Sequence, residues 1–76
     1  MPHVIVKLYS GRPVQQKAKL AEAVTEALMT TLKCGEESVS VGIEDVEPQD
    51  WVEKVYKPDV LARPETIYKK PGYNPL

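Results

Sequence analysis

A chain of 76 residues has room for one small domain. Ten Lys and Arg against eleven Asp and Glu leave a net charge of −1, which argues against a general nucleic-acid or anionic-membrane binder. One cysteine, Cys34, excludes an internal disulfide, and one His with one Cys is no structural zinc set.

Met1-Pro2 stand directly before the first strand-like run. Removal of Met1 leaves Pro2 as a free secondary amine. An α-amino group titrates at about 7.7–8.0, and burial or a nearby cation lowers its hold on the proton. With Met1 in place the same nitrogen is an amide without useful basicity. Residues 3–9 then alternate, with Val4, Val6 and Leu8 on one face and His3, Ile5, Lys7 and Tyr9 on the other, which predicts a strand. Ser10-Gly11-Arg12-Pro13 reads as a turn.

A helix is expected over Val14 to Lys33, with Leu20, Val24, Ala27, Leu28 and Leu32 on one stripe and Gly35 ending it. A second strand is expected over Ser38 to Val46, with Val39, Val41 and Ile43 on one face. Strand, helix, strand makes a β-α-β unit with parallel strands and a right-handed crossover. Pro48 opens a short helix carrying Trp51, Val52, Val55 and Tyr56 on its apolar side, and Lys57-Pro58 ends it. Thr66-Ile67-Tyr68 reads as a short strand or an extended arm, and Lys69 to Tyr73 as a turn and tail.

Two strands and one helix leave a sheet face and both sheet edges uncovered. Pairing with a second copy is the expected remedy, with the C-terminal arm packing on the neighbour. No apolar stretch approaches a membrane span, and no basic segment leads into an apolar one. The expectation is a cytoplasmic protein of one domain, residues 1–76, with no membrane partner.

The ordered set of Met1-Pro2, Gly11-Arg12, Gln16-Lys17, Ser38-Val39-Ser40-Val41 and Trp51 resembles the tautomerase superfamily. Within it the chain is similar to the 4-oxalocrotonate tautomerase-like proteins. Lys69-Lys70-Pro71-Gly72-Tyr73 resembles the tail of a longer, typically dimeric bacterial subgroup. The resemblance implies an α/β (α+β) fold: a β-α-β protomer with a short C-terminal helix and arm, assembled as a dimer or a trimer of dimers, with the dimer favoured here. It implies a cofactor-independent enol–keto tautomerase acting on small 2-oxo acids or their enols, with no metal. Pro2 would be the base, Arg12 would hold the substrate's carboxylate or polarise its carbonyl, and Trp51 would form an apolar wall. Hexameric relatives carry an arginine at the position of Ser40. A serine there lines the pocket without a charge and favours monocarboxylates such as a phenylpyruvate-like enol.

The chemistry suits these residue types. One base can take the proton from oxygen and return it to carbon. A guanidinium offers two parallel donors to a carboxylate, and an apolar wall excludes water. Taken singly, the residues have commoner meanings: Pro2 as the start of an edge strand, Arg12 as a solvated turn residue, Trp51 as core or interface, and His3, Tyr9 and Tyr73 as packing groups. Two other functions stay open at this point. One is hydration or dehalogenation of small unsaturated acids; the other is a non-catalytic oligomeric module that keeps Met1.

Overall fold

In the computed structural model, which describes residues 1–76, strand β1 spans His3–Tyr9 and strand β2 spans Ser40–Val46. They pair in parallel, in register from His3 opposite Ser40 to Tyr9 opposite Val46. Parallel neighbours cannot be joined by a tight turn, and helix α1, Val14–Leu32, makes the crossover.

The turn into α1 uses Gly11 at φ 113°, a conformation open to glycine and strained for other residues. Pro13 stays extended, and its carbonyl accepts the N–H groups of Gln16 and Lys17, which starts the helix. The other end departs from expectation. Lys33, with φ 58°, takes the left-handed position, whereas Gly35 has φ −86°. The chain then makes a 3-10 turn over Glu36–Ser38, so β2 begins at Ser40 rather than Ser38. The Ser38 hydroxyl donates to the Gly35 carbonyl at 2.9 Å, a local bond that competes with extension.

Strand alternation places Val4, Val6 and Leu8 on the α1 side with Val41, Ile43 and Asp45. There Lys17 of α1 meets Asp45 at 3.0 Å. The half-buried stripe of α1 is Leu20, Ala21, Val24, Thr25, Leu28 and Met29. Ala27 and Leu32, expected on that stripe, are exposed. Ala27 falls at its margin. Leu32 sits in the last turn of a helix roughly 28 Å long, against strands of roughly 23 Å.

The opposite face carries His3, Ile5, Lys7 and Tyr9 with Ser40, Gly42 and Glu44. The chain's own C-terminal third lies against it. A 3-10 turn over Pro48–Asp50 leads to Trp51 and then to a π-helix, Val52–Leu61. The Trp51 ring meets Tyr9 edge-on with centroids 5.2 Å apart, and Lys7 bonds Asp59 at 2.7 Å. Pro58 does not end this helix, contrary to the sequence expectation. In an α-helix a proline ring collides with the carbonyl four residues back. Here the ladder steps back five residues, as in Ala62 N–H to the Lys57 carbonyl at 3.0 Å, and the wider turn relieves that collision.

Past the π-helix, Pro64–Thr66 forms another 3-10 turn and Tyr68 stands fully exposed, so no third strand forms. The tail folds back on its own chain. Trp51 Nε1 donates to the Tyr73 hydroxyl at 3.0 Å, and the Tyr73 ring lies 5.9 Å from that of Tyr56. The arm expected to lie on a neighbour therefore packs first within the protomer.

Only Val55 and Tyr56 are buried, and both lie on the π-helix. The surface area is 5845 Å², against roughly 4,650 Å² for a compact monomer of this mass. The radius of gyration is 13.9 Å, against about 11.4 Å for a compact chain of this length. A protomer this open has almost no core of its own.

Two outcomes follow for stability. The Asp59 hydrogen bond to Lys7, opposed by some desolvation and aided by the charges of Asp59 and Glu44, raises the ammonium above the ordinary lysine range. That stabilisation is complete below the unfolded-chain value of about 10.4 and is lost as pH rises through the folded value. Lys7→Met is expected to melt below the parent at pH 7, with the gap closing above about pH 10.4; thermal melts across pH measure it. Tyr73→Phe strips the indole N–H of its acceptor. It should destabilise by about 1 kcal/mol in denaturant unfolding and shift Trp51 emission to the red.

Candidate active site

The predicted site residues fall into two groups at opposite ends of β1. Pro2 enters β1 at its start, and its carbonyl accepts the Ser40 N–H at 3.2 Å. The parallel register that sets His3 against Ser40 makes this neighbourhood unavoidable. The Ser40 hydroxyl is bonded to His3 Nδ1 at 2.6 Å. Pro2 is half-buried and Met1 beyond it is fully exposed.

Arg12 and Trp51 stand at the far end. Arg12 follows the last residue of β1 by three positions, is exposed, and donates from the turn to Gln16 Oε1 in the first turn of α1 at 3.2 Å. Trp51 sits at the same end through its contact with Tyr9. Seven residues of strand put roughly 23 Å between the Pro2 end and the Arg12 end. The fold thus unites Pro2 with Ser40, leaves Arg12 and Trp51 at the other end of the strand, and joins the two groups in no single protomer.

Between the ends, the sheet face opposite α1 bears a cleft of about 450 Å³, lined by Ile5, Lys7, Trp51, Val55, Asp59 and Arg63. That volume lies in the range of small-molecule sites. Ile5, Trp51 and Val55 make its apolar surface. Lys7 is neutralised by Asp59, whereas Arg63 makes no hydrogen bond or ion pair through its side chain. A second cleft of about 260 Å³ lies between the π-helix and the tail, lined by Tyr56, Val60, Ile67 and Tyr73 among others. No group of three His, Cys, Asp or Glu side chains is arranged to hold a metal ion.

Sequence reading missed Asp59 and Arg63. The signal was present as the spacing of Trp51, Val55 and Asp59, one residue in four leading into and along the helix, with Arg63 just past its end. Reading Pro58 as the helix end concealed it.

Comparison with known proteins shows the family to which the chain belongs. The family model described as tautomerase enzyme matches residues 2–55, from Pro2 into the π-helix. A probable tautomerase of Xylella fastidiosa is 42% identical over 76 residues, covering 100% of this chain and 93% of that protein. Tautomerase PptA of Cronobacter sakazakii is 35% identical over 75 residues, covering 96% and 97%. The structure of TomN, a 4-oxalocrotonate tautomerase homologue in the tomaymycin biosynthetic pathway, matches with a TM-score of 0.64 and 40% identity, over 66% of this chain and 77% of TomN. No helix of the chain is long and apolar enough to cross a membrane. With its parallel β-α-β unit and this match across most of its length, the chain belongs to the tautomerase family and is a 4-oxalocrotonate tautomerase-like enzyme.

Proposed function

We propose that the protein, as a single tautomerase-like domain over residues 1–76, ketonises small monocarboxylic 2-hydroxy-enols of the phenylpyruvate type, with Pro2 as general base once Met1 is removed. One observation supports this reading above the others. Pro2 stands at the very start of β1, half-buried beside Ser40, where loss of the exposed Met1 leaves a secondary amine on a rigid strand. Such an amine takes the enol proton and returns it to carbon, with no other group needed for the transfer. A low-polarity pocket and a guanidinium both favour the uncharged amine at neutral pH.

The separation of Pro2 from Arg12 supports a site shared between two chains. A two-fold pairing in which the strands run antiparallel brings the start of one β1 toward the end of the other. Pro2 of one protomer then meets Arg12 and Trp51 of its partner. The excess surface points the same way. About 1,200 Å² per protomer beyond the compact value is an interface of obligate-dimer size when two copies close on each other. A dimer is favoured over a hexamer because the chain carries the longer Lys69-Lys70-Pro71-Gly72-Tyr73 tail, which resembles that of a dimeric subgroup. Ser40, hydrogen-bonded to His3, contributes polarity but no charge to the Pro2 end, in keeping with a monocarboxylate. A cytoplasmic setting is in keeping with the one unpaired thiol, Cys34.

Ketonisation of phenylenolpyruvate followed by ultraviolet absorbance tests the base. Protein whose intact mass lacks Met1 should be active, and Pro2→Ala should lose 100-fold or more in kcat/KM, a loss of roughly the size general-base catalysis supplies. Equal rates for the two proteins refute the assignment. Mixing tests the shared site. Pro2→Ala and Arg12→Ala chains, each inactive alone, should recover roughly one quarter of parental activity after joint refolding, since half the dimers then hold one intact site. No recovery means that Arg12 serves Pro2 of its own chain or none.

A further inference from the structure

We infer that Arg63, carried by the segment that follows the π-helix, is the carboxylate anchor of a monoanion-selective cleft on the sheet face opposite α1. The inference rests on the tautomerase reading above and adds to it the residue that sets substrate charge. The family model ends at residue 55, eight residues before Arg63, while the relative from Xylella fastidiosa aligns over the whole chain.

Two contacts and a shared cleft carry Arg63 to this position. Trp51 lies on Tyr9, Asp59 bonds Lys7, and Arg63 lines the cleft together with Ile5. Along the π-helix the residue numbers rise while along β1 they fall. The helix therefore runs back down the strand, toward the end where Pro2 and Ser40 lie. Opposite Ile5 in the register is Gly42, two residues from Ser40, and the space a side chain would take at Gly42 is open. An arginine side chain has the reach to place its guanidinium over that opening.

The charge balance of the cleft selects a single negative charge. Lys7 and Asp59 cancel at 2.7 Å, and Arg63 is left as the one uncommitted charge among the six lining residues. A guanidinium free of partners offers its fork of N–H groups to one carboxylate. Ile5, Trp51 and Val55 supply apolar surface for an aryl or alkyl group. The ligand class is thus an amphipathic monocarboxylate.

Binding of (E)-cinnamate and of neutral cinnamamide to the whole protein tests this, read from quenching of Trp51, the chain's one tryptophan and a wall of the cleft. The parent should prefer cinnamate by about tenfold or more, Arg63→Lys should keep part of that preference, and Arg63→Gln should abolish it. A full preference surviving in Arg63→Gln, or no preference in the parent, overturns the inference. In ketonisation Arg63→Gln should raise KM for phenylenolpyruvate more than it lowers kcat; an unchanged kcat/KM likewise overturns it. Repeating the binding series on Pro2→Ala separates the two readings. An Arg63-dependent preference there, alongside undiminished Pro2→Ala activity, would sink the proline base and leave the anchor standing.

Discussion

The length of β1 governs how this protein is built around its chemistry. A strand of seven residues is rigid and spans roughly 23 Å, with Pro2 just before its start and Arg12 in the turn beyond its end. No rotamer change bridges such a gap. The pairing of β1 with β2 leaves one free edge on each strand, and those edges present unpaired backbone groups ready for another strand. The near absence of buried residues agrees, because a protomer that kept its apolar surface to itself would show a core.

The C-terminal third adds a second layer of organisation. The Lys7–Asp59 pair and the Tyr9–Trp51 contact pin the π-helix to the sheet face that α1 leaves open. Both charges of the pair are partly exposed, so its role lies more in positioning than in raw stability. The π geometry matters for the same reason. It lets the helix pass Pro58 unbroken, which keeps Asp59 opposite Lys7 and brings Arg63, just past the helix end, to the same cleft as Trp51. The Trp51–Tyr73 hydrogen bond then ties the tail to the start of the helix.

Much of the framework was legible in the chain itself. The alternation from His3 to Tyr9, the turn at Gly11-Arg12-Pro13 and the three-and-four spacing of Leu20, Val24 and Leu28 are local patterns, and each formed the element expected. The errors lie where a local rule met a competing contact. Gly35 looked like the helix terminator, but Lys33 takes the left-handed turn and Ser38 bonds back to Gly35. Pro58 looked like a stop because the rule assumes α geometry. Thr66-Ile67-Tyr68 had strand-like composition, yet the turn at Pro64–Thr66 and the fold-back of the tail left it no partner strand.

By itself, the order of residues determined the β-α-β unit, the position of an N-terminal proline before a strand, and kinship with tautomerases, because these depend on periodicity and on short motifs. Tertiary structure alone decided which of the marked residues stand together. Ser40 joins Pro2 because parallel register aligns residues 37 apart, and Arg63 joins Ile5 because a helix folds back across the sheet. Such meetings are set by packing between segments remote in the chain. No local pattern encodes them, so they become visible only once the chain is folded.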